Sequence, residues 1–422
     1  MTDQPSEEAS AAMDRAVDVN VDLSRRRRQL GLLAVGLVMA MSPWFSTAAV
    51  AGQLTEVWDL STAQLAWLVI AVQMGFVAGA LVITLAGLAD RFGPRRLILV
   101  GATLAATSNT LLILASGYGP AIVARFATGA ALAAVYPPAL KAMSSWYKTG
   151  RGLALGVMIG ALTVGSALPH LINGLGGLRW QLTLAIGSII TLTGGLLIEL
   201  AGADGPHGSA PTRVSAAHIG GIVSNRRFLL ASAGYFGHMW ELYAMWAWMA
   251  AFYSDVFVSS RAASFAAFAV IGIGGAGSVY VGTLSDATSR PRAAARALRW
   301  SGFAAAITGF LVAAPPAVAL AAGLFWGFWV VADSAQFSTI VTEVVEPKLI
   351  GTALTLQLSL GFVLTVFTIF LVPVVRDGAG WGVAFLMLAP GPALGAWAMA
   401  RLESVRDSNR ADLGPGPIGQ PM

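Results

Sequence analysis

The chain has 422 residues, of which 56% are hydrophobic and only 11% charged, and it contains no cysteine. Soluble domains carry roughly a quarter charged residues, so this composition excludes a soluble globular protein; the missing thiols exclude a disulfide framework and a thiolate metal site. The net charge of +5 does not mark a nucleic-acid binder, because the basic residues fall in loops between apolar runs and not on one polar face.

In chain order, the polar stretch up to Arg28 lacks a cleavable signal pattern, and the first apolar run is too long for a signal-peptide core. A bilayer-spanning helix takes about 20 mostly apolar residues. Twelve such spans are predicted, at 30–52, 63–88, 96–116, 119–141, 152–174, 180–201, 228–253, 264–284, 297–314, 317–341, 350–374 and 381–400. The fold class is therefore an all-α membrane protein. Its organisation reads as a cytoplasmic tail (1–29), a six-span lobe (30–201), a Gly-, Pro- and Ser-rich cytoplasmic linker (202–227), a second six-span lobe (228–401) and a cytoplasmic tail (402–422). The polar segments 1–24 and 405–422 have the composition of disordered chain.

Orientation follows from the loop cations. With a cytoplasmic N-terminus, 22 of the 26 Lys and Arg residues lie inside; only Arg179, Arg261 and Arg376 lie outside, and Arg125 sits within span 4. Moving the span count by one would scramble this asymmetry. Both termini are expected in the cytoplasm, and the chain in the inner membrane.

One loop signature occurs twice. The first copy runs from Ala86 through Gly87, Leu88, Ala89, Asp90, Arg91, Phe92, Gly93, Pro94, Arg95 and Arg96. The second runs Gly282, Thr283, Leu284, Ser285 and Asp286, followed by Arg290, Pro291 and Arg292, at an offset of 196. Close offsets, 198 and 199, recur elsewhere: Arg125 to Gly129 aligns with Gly323 to Gly327, and Arg151-Gly152 with Ile350-Gly351. A duplicated membrane unit indicates a two-lobed transporter.

On these residues the chain resembles the major facilitator superfamily over nearly its whole length. The segment Leu88 to Arg96 resembles that family's loop between helices 2 and 3, with Ala86 where the family usually has Gly. Arg125-Phe126-Ala127-Thr128-Gly129 resembles its helix 4 motif. The resemblance implies two pseudo-symmetric six-helix lobes, a cytoplasmic latch made by Asp90, Arg91, Arg95, Arg96 and Asp286, and a link between Arg125 and proton coupling. It also implies that helices 5 and 8 face each other across the lobes. Gly152, Gly156 and Gly160 in span 5, and Gly274, Gly277 and Gly282 in span 8, suit such a rocking contact and equally suit packing alone. The loop chemistry stands independently: a carboxylate accepts hydrogen bonds at a helix N-terminus, and neighbouring Arg residues pair with it. The bland alternative is that these arginines only enforce topology. Pro43, Pro169 and Pro390 mark expected kinks.

Ionisable groups at membrane depth are costly, so each is a functional candidate. Glu241 lies 14 residues from both Arg227 and Asp255, near the middle of span 7, and His238 precedes it by one turn on the same face. Their aromatic surroundings suit a reversibly protonated carboxyl, or a structural Glu held by a neighbouring helix. Asp333 and Gln336 in span 10 admit coupling or hydrogen bonding. Arg125, the one cation within a span, suits an anionic substrate or a carboxylate partner. His170 and Asn173 lie near the outer end of span 5, where a satisfied, partly wet histidine is the plainer reading. Gln73 and Gln357 occupy matching places in spans 2 and 11 and either line the cavity or bridge helices.

The family's drug exporters carry a Gly-Pro pair late in helix 5; here Gly165 to His170 lacks it. Nitrate and nitrite members carry an Arg in helices 2 and 8, and spans 2 and 8 have none. No phosphate-binding loop is present, so ATP is not the expected energy source. The favoured reading is a proton-coupled symporter for a small solute, an organic anion in particular. Proton-driven efflux of amphipathic compounds is the alternative. An intramembrane enzyme or metal site on His238, Glu241, His170 and Asp333, and a non-transporting sensor, are distant ones. Expected partners are a small-molecule substrate, lipid and H⁺, with no nucleic acid, cofactor, metal or legible oligomeric interface.

Overall fold

The computed structural model describes residues 7–147, 150–175, 178–207, 219–346 and 349–412, with the side chains of 7–22, 89–90 and 407–412 outside that description. Among the described residues it is helical throughout, without strands. Eight stretches are long and apolar enough to cross a bilayer by that criterion, and one of them, Ile350–Arg406, contains both spans 11 and 12. Spans 2, 3, 5 and 6 are centred on the helices Thr62–Leu85, Pro94–Leu111, Arg151–Gly174 and Trp180–Ala201.

Five spans are broken, span 12 among them at 387–389. Span 1 leaves helix Glu7–Ala40 through turns at 41–45, resumes as Ser46–Ala49 and ends as Ala51–Trp58. Span 4 divides into Tyr118–Leu132 and Tyr136–Ser144, span 8 into Ser260–Gly272 and Gly274–Ala287, and span 10 into Pro316–Val330 and Ser334–Val344. Span 7 is one unbroken helix, Arg226–Val256, and span 9 begins as Arg290–Thr308. Spans 11 and 12 run together as Ile350–Leu386 across a kink at Gly380 (φ 79°), and Pro390–Asp412 completes span 12.

The two tails differ from the disordered expectation. Helix Glu7–Ala40 runs back through the four arginines, and Pro390–Asp412 continues past the membrane, because Ala, Glu and Arg favour helix. The linker also begins ordered: Gly205 N–H donates to Ser145 Oγ at 3.0 Å and Trp146 Nε1 to Ala203 O at 3.2 Å. Of the expected kinks, Pro43 falls in the span 1 break and Pro390 opens the last helix, whereas Pro169 lies inside a continuous one.

Glycine sets the helix spacing. A Cβ on Gly129 would overlap the carbonyl of Val72, so the end of the Arg125–Gly129 motif lets span 4 lie against the span 2 backbone. Between the lobes, spans 5 and 8 meet backbone to backbone. Gly156 faces Ser278 and Val279, Gly160 faces Gly275, and Gly282 faces Gly152. Spans 2 and 11 form a second inter-lobe contact, with Trp67 and Phe370 6.5 Å apart.

Candidate functional site

Three polar or aromatic assemblies lie inside this frame. The first, in the C-terminal lobe, joins span 7 to span 10. His238 and Glu241 do share a face, and it is turned to span 10. Trp326 Nε1 donates to Glu241 Oε1 at 2.6 Å, and His238 Nε2 shares a hydrogen bond with Ser334 Oγ at 2.8 Å. His238 Nδ1 lies 2.8 Å from Asp333 Oδ1, an ion-pair distance without an aligned hydrogen bond, so that oxygen keeps acceptor capacity. Asp333 sits at the break of span 10, next to a carbonyl, Val331 O, that Ser278 Oγ of span 8 caps at 3.2 Å. His238, Glu241 and Asp333 are each at most 2% exposed. Charge can be held there only by these internal partners.

The second assembly, in the N-terminal lobe, centres on Arg125. Its guanidinium donates to Leu68 O (3.3 Å), Pro43 O (2.9 Å), Ser46 Oγ (2.9 Å) and Trp44 O. Four of its five N–H groups are thereby committed, three of them to the broken segment of span 1. A cation is suited to the task because the break strips span 1 of its internal acceptor pairing. Ser46 passes the link to Asn109 Oδ1 at 2.9 Å, and Asn109 Nδ2 donates to Ser188 Oγ and Leu184 O. The expectation that Arg125 meets a carboxylate is not what the described geometry shows: its partners are carbonyls and a hydroxyl.

The third assembly fills the space between the lobes. Trp44 and Phe45 of span 1 and Phe76 of span 2 meet Tyr243 and Trp246 of span 7 and Phe362 of span 11. Ring centroids are 4.9 Å apart for Trp44 and Phe76, 4.8 Å for Phe76 and Phe362, and 5.9 Å for Trp44 and Tyr243. Phe45 meets Trp246 edge-on at 5.8 Å, and Tyr243 lies 5.5 Å from Trp246. All six rings are buried. Among the described residues, buried polar atoms without a partner include Trp44 Nε1 and Trp246 Nε1 of this cluster, both ends of the Gln73 and Gln336 amides, Ser166 Oγ and both ring nitrogens of His170. His170 is completely buried, not partly wet as expected near a span end. Gln357 bridges to Ser232 of span 7 at 3.4 Å, whereas its repeat mate Gln73 is unpartnered.

The lobes also touch at both ends of the aromatic cluster. Asn173 Nδ2 donates to Ser264 Oγ of span 8 at 3.0 Å and to Ala49 O of span 1 at 2.9 Å. At the opposite, Arg-rich end, Asp286 caps span 5 across the lobe boundary, accepting from Gly152 N–H at 3.3 Å and Leu153 N–H at 3.1 Å. Arg290 lies 3.7 Å from the same carboxylate and binds Glu343 at 2.8 Å. Of the other expected latch residues, Arg95 turns into its own lobe, donating to Glu199 O, Gly202 O and Asp204 at the C-terminus of span 6. Arg91 lies over the Phe92 ring at 6.0 Å, Arg96 is exposed, and the Asp90 side chain lies outside the described residues.

The second-copy contact is directly testable. Asp286→Asn removes a full charge from the helix N-terminus, an effect of about 0.3–1 kcal/mol at a surface site. The natural chain has no cysteine, so a single Ser278→Cys reports opening between spans 5 and 8. Its alkylation from the Arg-rich end is expected to rise about threefold in the Asp286→Asn background; an unchanged rate would remove the latch role.

Sequence reasoning missed the six-ring cluster and Asn109. Two rings come from span 1, two from span 7 and one each from spans 2 and 11, so no single local pattern announces the cluster. The local hints were Pro43-Trp44-Phe45, a kink beside two aromatics, and the aromatic run around Glu241 in span 7.

Two lobes meeting on a glycine seam, with a buried polar core in each and a central cluster between them, have the architecture of a secondary transporter. The Major Facilitator Superfamily profile matches residues 32–368. The chain belongs to that superfamily. It is an integral, multi-pass membrane transporter, not an enzyme. A curated relative is a 3-(3-hydroxy-phenyl)propionate transporter of Escherichia coli (strain K12), 26% identical over 171 residues. That match spans 40% of this chain and 42% of the relative, less than half of either. Among solved structures, a D-xylose-proton symporter has a TM-score of 0.71 at 14% identity, over 88% of this chain and 96% of that one. A bacterial homologue of the human lysosomal transporter Spinster, in an inward-facing and occupied conformation, has 0.65 at 16% identity, over 90% and 97%. These structural likenesses establish the fold.

Proposed function

We propose that this protein is a proton-coupled symporter of a small organic anion, working by alternating access. The observation that carries the reading is the buried titratable cluster of span 7 and span 10. A carboxyl at Glu241 or Asp333 and an imidazole at His238 sit within one lobe, each joined to groups that move with it. Protonation of Glu241 or Asp333 neutralises a buried charge, so the loaded lobes can close, and release of the proton on the far side favours reopening. A monoanion moving with one proton carries no net charge, which matches a central ring cluster whose unpartnered polar atoms are the neutral indole nitrogens of Trp44 and Trp246. The names of two relatives, an aromatic-acid transporter and a proton symporter, point the same way. The loop cations support placing the Arg-rich end, with both termini, in the cytoplasm.

The test is the pH of weakly buffered medium around de-energised cells expressing the protein, pulsed with a panel of small organic acids. One acid is expected to alkalinise the medium. Glu241→Gln is expected to abolish that signal while leaving solute counterflow, which needs no net proton movement, within about threefold of the parent. A Glu241→Gln strain that alkalinises normally would end the coupling role of this residue.

Proton-driven efflux of an amphipathic compound is the second reading, favoured by the six-ring cluster. It predicts acidification of inverted vesicles to be dissipated by cationic amphiphiles and not by organic acids.

A further inference from the structure

The indoles in the interior differ in their hydrogen bonding. Trp240, Trp248, Trp326 and Trp381 each donate Nε1–H to a fixed acceptor, respectively Met387 O, Ile369 O, Glu241 and Asp255. Trp180, at the start of span 6, has no acceptor among the described residues, and neither do Trp44 and Trp246, each 1% exposed. These two belong to opposite lobes and both pack on Tyr243, at 5.9 and 5.5 Å. A buried donor left unmade destabilises the fold, so two such donors at the lobe boundary, with the equally unpartnered Gln73 amide one turn before Phe76 on span 2, call for an occupant.

Building on the transport reading, we infer that the inter-lobe cluster binds a single-ring aromatic carboxylic acid. The ring replaces part of the contact among Trp44, Tyr243 and Phe362, where tilted and edge-on packing is already the rule. The carboxylate accepts from the indole N–H groups of Trp44 and Trp246, which links one lobe to the other. Gln73, offering both donor and acceptor, reads a polar substituent on the ring. The choice of an anion over a cation rests on the donors. An indole N–H gives a hydrogen bond and takes none; of the C-lobe carboxyl groups, Glu241 accepts from Trp326 and Asp333 faces the His238 imidazole on the span 10 side. A cationic guest would gain ring-face attraction but leave both indole donors unmade.

The test uses the purified full chain in detergent, without any gradient, and titration calorimetry with four probes: 3-phenylpropionate, 3-cyclohexylpropionate, 3-phenylpropanol and 3-phenylpropylammonium. The first is expected to bind at least about 10-fold more tightly than each of the others. Trp44→Phe and Trp246→Phe keep a ring and remove the donor; each is expected to weaken 3-phenylpropionate about 10-fold with an unchanged melting profile. Equal affinity for the alcohol, tighter binding of the ammonium probe, no binding of any probe, or unaffected Phe variants would each overturn the assignment. If one variant fails to fold, the other and the probe series decide. Binding without proton flux in cells would overturn the coupling reading alone, and proton-linked flux of a different solute, with no binding here, would overturn this inference alone.

Discussion

Replacing Arg125 by leucine is expected to abolish transport and to lower the apparent melting temperature of the purified protein by roughly 10 °C. The argument is a count of what is left behind. The guanidinium is fully buried and serves the carbonyls of Pro43, Trp44 and Leu68 together with Ser46. Leucine fills most of the volume and none of the hydrogen bonds. An acceptor orphaned in an apolar interior costs about 1–3 kcal/mol, and the span 1 turns cannot relax into helix while Pro43 remains. Trp44 and Phe45, which hang from that turn into the central cluster, would lose their positions. Arg125→Lys keeps the charge but brings three donors from one point in place of a fork. It is expected to recover about half of the lost thermal stability and little of the flux. Differential scanning fluorimetry and solute counterflow, run on the same preparations, read the two effects separately. Normal flux in Arg125→Leu would show that the clamp is dispensable.

A second large effect is expected at the seam between the lobes. Gly156→Leu cannot be accommodated in the described packing, because even a Cβ there would lie 2.5 Å from Ser278 O of span 8. Neither atom is the end of a flexible side chain, so the spans must separate. Each lobe keeps its own core, so thermal stability should fall by no more than about 1–2 kcal/mol, while net transport drops by about 100-fold or more. Alkylation at Ser278→Cys from the Arg-rich end should at the same time become fast and insensitive to substrate. Gly119→Ala, where a Cβ meets open space, is the control and should leave all three readouts unchanged. Retained transport in Gly156→Leu would mean that this seam does not have to close.

The fold was legible because its main signal is repeated and coarse. Twelve apolar runs and the cation asymmetry of their loops depend on bilayer thickness and charge, which act on each segment independently. The breaks in spans 8 and 10 were not legible. Neither carries a proline at the break, and in span 10 the Val331 carbonyl finds its partner on another span, at Ser278. The pairing of His238 with Glu241 on one face followed from helical spacing, but that the face meets Trp326 and Asp333 depends on how spans 7 and 10 rotate against each other. Arg125 was recognisable as unusual, and its partners were not, because backbone carbonyls leave no trace in the residue pattern. The Gln73 and Gln357 pair shows the limit of the repeat itself: equal places in the two halves, yet one amide bridges to Ser232 and the other is unpartnered.

The glycine seam has a further consequence. Gly156, Gly160, Gly275 and Gly282 bring main chain against main chain, so closing this surface freezes few rotamers. Most protein contacts lose side-chain entropy when they form and regain it when they part. A seam without side chains exchanges almost none, and the balance between its open and closed arrangements should vary only gently with temperature. In the proposed alternating-access cycle, a lobe movement at this seam would be nearly decoupled from thermal fluctuation in the cell's surroundings.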